Sequence, residues 1–191
     1  MQSTVRGYGL DYIGLVVYKQ IMVGRKPYVY QERDVKGWCG PAVLALALES
    51  VGIAVSQSEL AKMAPYDPDW GTDHEAMLAG ARAFVLGAYE VIGKSLEELG
   101  QLAQKKAVIL NFMDTELGVE PQHGAGNGED GHYVALDKII GNDVWVMDPN
   151  PISPGYGGLR KIDRNWLDRH FWDIDRGNKV VERWALVIPV G

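Results

Sequence analysis

A chain of 191 residues with 47% apolar and 23% charged residues holds enough hydrophobic material for one globular domain with its own core. Its net charge of −6, without any cluster of Lys and Arg, argues against nucleic acid or anionic membrane as the main partner. The single cysteine excludes an intrachain disulfide and any multi-thiolate zinc site.

Met1 to Leu10 lacks the apolar core of a signal peptide. The apolar run Tyr12 to Val23 is short and interrupted by Lys19 and Gln20, so no membrane span is expected and a cytoplasmic location is favoured. Enrichment in Val, Ile and Tyr over Tyr12 to Gln31 predicts strands or extended chain. Cys39 to Val51 reads as a continuous apolar helix opened by Gly40-Pro41-Ala42. Ser56-Gln57-Ser58-Glu59 is a capping box for a short helix to Ala64. Thr72 or Asp73 caps a third helix running to about Leu86, and Ser95-Leu96-Glu97-Glu98 opens a fourth that reaches Lys106.

The second half is richer in strands. Val108 to Phe112 reads as a buried central strand, followed by a glycine-rich polar loop from Gly118 to Gly131. His132 to Ile140 and Val144 to Asp148 form a hairpin about Gly141-Asn142-Asp143. Ile162 to Phe171 predicts a helix capped by Asp163, and Val180 to Val190 a closing strand. A helical first half packed on an antiparallel sheet is an α+β architecture, here in a single domain over residues 1–191.

The chemistry gathers around Cys39. A lone cysteine in an apolar helix is usually a small core residue. This one stands in the first turn, where unpaired backbone N–H groups and the helix dipole favour a thiolate. Gln31, eight residues upstream, lies where its amide can join the Cys39 N–H as a two-donor oxyanion hole. His132 offers a base, and Asp148 follows at a separation that lets adjacent antiparallel strands bring the two side chains together. Taken singly, His132, Asp148 and Gln31 have ordinary roles in strand, turn and surface. Occurring in this order with the thiol, they read as a nucleophilic site.

Those residues carry a family resemblance. Gln31, then Cys39-Gly40-Pro41-Ala42, His132-Tyr133-Val134 and Asp148-Pro149 resemble the C39-like branch of the papain-fold cysteine peptidases, which includes the leader-peptide peptidase domains of bacteriocin exporters. The resemblance spans a core of about residues 28–149, with Gly71-Thr72 as a further shared feature, and leaves residues 150–191 as a C-terminal extension. It implies a papain-like fold in which Cys39 is the nucleophile, His132 general base then acid, Asp148 the orienter of the imidazole and Gln31 the oxyanion donor. It also implies a peptide or protein substrate and no cofactor. The chain differs from the exporters in having no membrane-spanning or ATP-binding segment, and in the long stretch between Cys39 and His132 that contains the glycine-rich loop.

The expected activity is hydrolysis of a peptide or related amide through a Cys39 thioester. Acyl transfer, as in phytochelatin synthase-like transpeptidases, and non-catalytic peptide binding on the same fold are the alternatives. Trp38 and Trp70 are candidates either for a substrate cleft or for the core, and Gly131 is a further substrate-side candidate. The loop ending at Gly131 either shapes the active site or is a solvent-exposed insertion. It lacks the Gly-Lys-Ser/Thr of a phosphate cradle and the spacing of an EF-hand. His74, His123 and His170 lack helical metal-ligand spacing, so no metal is expected. The oligomeric state is left open.

Overall fold

In a computed structural model, the structure describes residues 38–67, 71–113, 131–149, 158–175 and 179–190. The predicted strands over Tyr12 to Gln31 lie outside them. Five helices occur among the described residues: α1 (Cys39–Ser50), α2 (Gln57–Met63), α3 (His74–Arg82), α4 (Leu96–Ala103) and α5 (Arg164–His170). The strands are β1 (Tyr89–Val91), β2 (Lys106–Met113), β3 (Gly131–Ile140), β4 (Asp143–Asp148), β5 (Gly158–Asp163), β6 (Trp172–Asp175), β7 (Lys179–Glu182) and β8 (Ala185–Pro189).

Local chemistry sets the helix starts. Ser56 accepts from the Glu59 N–H, Asp73 from the Ala76 N–H and Asp163 from the Trp166 N–H. At α4 the Ser95–Glu98 capping box closes in both directions. Helix ends obey tertiary demands instead. The third helix stops at Arg82 rather than near Leu86, and turns lead from there into β1. The fourth stops at Ala103, because Lys106 already pairs with Pro189 in the sheet.

The main sheet is antiparallel, with strand order β1-β8-β2-β3-β4-β5, and β6 and β7 form a separate hairpin. The C-terminal residues depart most from expectation. Ile162 belongs to β5, so only Arg164–His170 is helical. The closing strand is two strands broken at Arg183, whose φ of 53° ends one ladder before Ala185 begins the next. Residues beyond Pro149 supply β5 at one edge of the sheet and β8 inside it, so the sheet needs more than the 28–149 core assigned from the sequence.

Helices cover both faces. On one, α1 is buried from Gly40 to Leu48 and packs with Leu60, Met77, Ile109, Tyr133, Leu186 and Ile188. On the other, Leu96 and Leu99 of α4 and Leu167 of α5 pack on Leu110, Phe112, Val134 and Val146. The alternation of β3 assigns Tyr133 to the first face and Val134 to the second.

Candidate active site

Cys39 opens α1 as a half-buried free thiol. The preceding Trp38 gives the helix no side-chain cap. Its indole instead donates to Gln57 Oε1 at 2.7 Å and meets Tyr66 edge-on at 5.0 Å. At 2% exposure, Trp38 anchors the start of α1 as a packing residue and does not wall a cleft. Pro41 needs no hydrogen bond in a first turn, and Gly40 leaves room for a neighbour. A Cβ on Gly40 would come within 2.7 Å of the Thr72 Cβ. The Thr72 carbonyl accepts from the Tyr133 hydroxyl at 2.8 Å. Thr72 is thereby clamped between the first turn of α1 and β3, which gives the Gly71-Thr72 feature a packing reason.

His132 is the second residue of β3, and Asp148 the last of β4. The β3–β4 pairing runs from Ile140–Asp143 to Ala135–Met147. One step beyond that register, His132 and Asp148 lie diagonally on the same face, close enough for their side chains to meet. His132 Nε2 lies 2.8 Å from Asp148 Oδ1, and both residues are buried. Phe112, paired with His132 across β2 and β3, presents its ring edge-on at 6.1 Å. Burial works against charging the His132 ring. The Asp148 carboxylate, by charge and hydrogen bond, and the Cys39 side chain, likewise by both, outweigh it and hold the imidazole well above its ordinary value. With Nε2 engaged by Asp148, Nδ1 is the ring nitrogen left for the sulfur.

The site thus forms where the N-terminus of a helix on one face meets the end of a strand whose histidine belongs to the other. The structure brings His132 and Asp148 into contact and sets the Cys39 side chain beside the ring. Gln31, Trp70 and the loop over 118–130 lie outside the described residues. Gly131 is described, and a Cβ there would come within 2.6 Å of the Asp173 Cγ. The space over its Cα is therefore filled by the β6 carboxylate rather than open to a substrate.

One residue of the constellation escaped the sequence reading. Arg160 on β5 donates from Nη1 to Asp148 Oδ2, and both side chains are nearly sealed from solvent. The available signal was the alternation of β5, in which Gly158, Arg160 and Ile162 face inward while Leu159, Lys161 and Asp163 face out. Among the described residues, no group of three or more His, Cys, Asp or Glu is arranged to hold a metal ion.

A thiol at a helix N-terminus thus stands beside an imidazole and a carboxylate on the sheet of an α+β fold. The Peptidase_C39 like family model matches residues 25–173, and the chain belongs to that family. The match continues past Pro149 to Asp173, so much of the segment set aside as an extension is family sequence. Among curated proteins none matches significantly.

Solved structures share the fold. A Bacillus anthracis protein provisionally named a C39-like peptidase is 19% identical, with a TM-score of 0.62 over 85% of this chain and 93% of that one. The peptidase domain of Streptococcus ComA, a bifunctional ABC transporter of a quorum-sensing pathway, is 16% identical, with a TM-score of 0.58 over 86% and 99%. A double-glycine-motif protease from an AMS/PCAT transporter, solved with a leader peptide, is 19% identical, with a TM-score of 0.55 over 87% and 93%.

Proposed function

We propose that this protein is a cysteine peptidase that cleaves a peptide or related amide through a thioester on Cys39. The observation that carries the reading is the chain of contacts from Cys39 through His132 to Asp148. The Cys39 thiolate attacks the carbonyl carbon while His132 carries the proton. The C–N bond breaks as the imidazolium protonates the leaving amine. Water, deprotonated by the same ring, then hydrolyses the thioester. Asp148 holds the ring so that Nδ1 faces the sulfur. Gln31 and the Cys39 N–H stabilise the oxyanion.

A peptide substrate is supported by family membership and by the leader peptide bound to a fold relative. Incubation with a diverse peptide mixture and mass spectrometry of the products tests the reading. Cleavage that disappears in Cys39→Ser is the expected result, and products carrying an added amine would instead mark acyl transfer. No covalent turnover with any peptide, alongside tight binding, would overturn it in favour of a binding module. Gln31→Ala is expected to lower kcat by about 10²–10³-fold with little change in KM, as for one oxyanion donor. A change in KM alone would make Gln31 a binding residue.

A further inference from the structure

Arg160 occupies an inward position on β5, on the face whose neighbours include Val144, Val146, Ile162 and Leu167. An alternating strand normally puts an aliphatic side chain there. A guanidinium in such surroundings is costly unless it is paired. Its partner is Asp148, whose side chain is wholly buried. The β4–β5 register explains the reach. Val146 pairs with Arg160 and Asp148 with Gly158, so Arg160 stands diagonal to Asp148 on the same face. Gly158, directly across from Asp148, has no side chain to stand in the way.

The two oxygens of Asp148 then have separate partners. Oδ1 meets His132 Nε2 at 2.8 Å, while Oδ2 accepts from Arg160 Nη1. Charge balance points the same way. With Cys39 as thiolate and His132 as imidazolium, Asp148 leaves the three groups one negative charge in excess, and Arg160 brings these four groups to neutrality.

We propose that Arg160 is a positioning residue: it keeps Asp148 ionised with Oδ1 aimed at His132, and so fixes the tautomer and orientation of the ring that serves Cys39. This rests on the reading of Cys39 and His132 as nucleophile and base. A lysine keeps the charge but loses the planar fork that holds a carboxylate in one orientation, so Arg160→Lys should rescue only part of the function. Arg160→Met removes both.

Peptide cleavage, the iodoacetamide reaction of Cys39 and NMR titration of the His132 ring, assigned by its loss in His132→Gln, should be followed in wild type, Arg160→Met, Arg160→Lys, Asp148→Asn and the Asp148→Asn/Arg160→Met double variant. Arg160→Met is expected to lower kcat by up to about 10²-fold, the scale of a misplaced catalytic group, with KM little changed. Because a nearby cation has been removed, the His132–Asp148 pair should keep its proton to a pH about one unit higher, whichever partner carries it. In the Asp148→Asn background the same substitution should change nothing further.

An unmoved titration in Arg160→Met, or losses that multiply in the double variant, would overturn the proposal. If Arg160→Met does not fold, the double variant has no unpaired buried carboxylate and is read against Asp148→Asn alone. A wild type that cleaves peptides while the titration stays unmoved leaves the peptidase reading standing and removes this one. A wild type that cleaves nothing leaves the titration and the alkylation rate to judge Arg160.

Discussion

His132 works between unlike neighbours, with a buried carboxylate at Nε2 and a thiol beside the ring. Its removal should therefore abolish turnover and slow alkylation of Cys39, whereas Asp148→Asn should leave a residual rate in both assays. Equal alkylation rates in wild type and His132→Ala would separate the ring from the sulfur. Since the imidazolium is held above its ordinary value, the alkaline limb of the pH–rate profile should lie above about pH 6.5. The stability it confers is complete below that pH and is lost as pH rises through the raised native value.

His74 shows the opposite sign. It is 4% exposed and stacks on Trp184 at 4.2 Å; among the described residues neither ring nitrogen makes a hydrogen bond, and the carboxylates of Asp173 and Asp175 stand 3.8 and 3.6 Å away. Burial pushes its imidazole down, against the pull of Asp175, Glu90 and Asp73. On acidification below about pH 6.5 the unfolded chain binds a proton that the native His74 refuses, so stability falls with pH. His74→Phe keeps a stacking ring and should flatten this acid limb in thermal melts between pH 5 and 8. An unchanged slope would assign the acid sensitivity to other groups.

Among the elements, α1 carries the heaviest constraints because its first turn must pack on Thr72 and also set Cys39 beside the His132 ring. Gly40 is the tightest point, with the Thr72 Cβ 2.7 Å and Met77 Sδ 3.2 Å from where a Cβ would stand. Gly40→Ala should push the turn away from Thr72, destabilise the fold by about 1–3 kcal/mol and lower kcat. Pairing it with Thr72→Gly should restore much of both, as read by denaturant unfolding and peptide cleavage. Helix starts were legible from sequence because capping is local. Ser56, Asp73, Ser95 and Asp163 each bond within three residues of themselves. Ends at Arg82 and Ala103 were not, since they depend on strands that pair with distant segments.

At the scale of the molecule, β8 ties the C-terminal residues into the middle of the chain. It lies between β1 and β2, and Ala185 to Ile188 are fully buried. Truncation before Trp184 would uncouple β1 from the sheet, expose both of the edges that β8 covers and strip Trp184 from His74. Such a variant should lose cooperative thermal unfolding, and residues 28–149 alone should not fold. A sharp melt from either truncation would mean that the N-terminal segments form an independent unit.

The sequence by itself determined the α+β class, the capped helix starts, the β3–β4 hairpin and the order Cys39, His132, Asp148. Each rests on periodicity, capping chemistry or a short motif, all of which are written in neighbouring residues. Tertiary structure alone decided that Trp38 packs inward, that Gly131 faces Asp173, that the last predicted strand divides between two sheets, and that Arg160 completes the charge balance around Asp148. Arg160 and Asp148 meet because two strands align in one register across a connection. Register is set by the pairing of whole faces, a property that no single stretch of sequence contains.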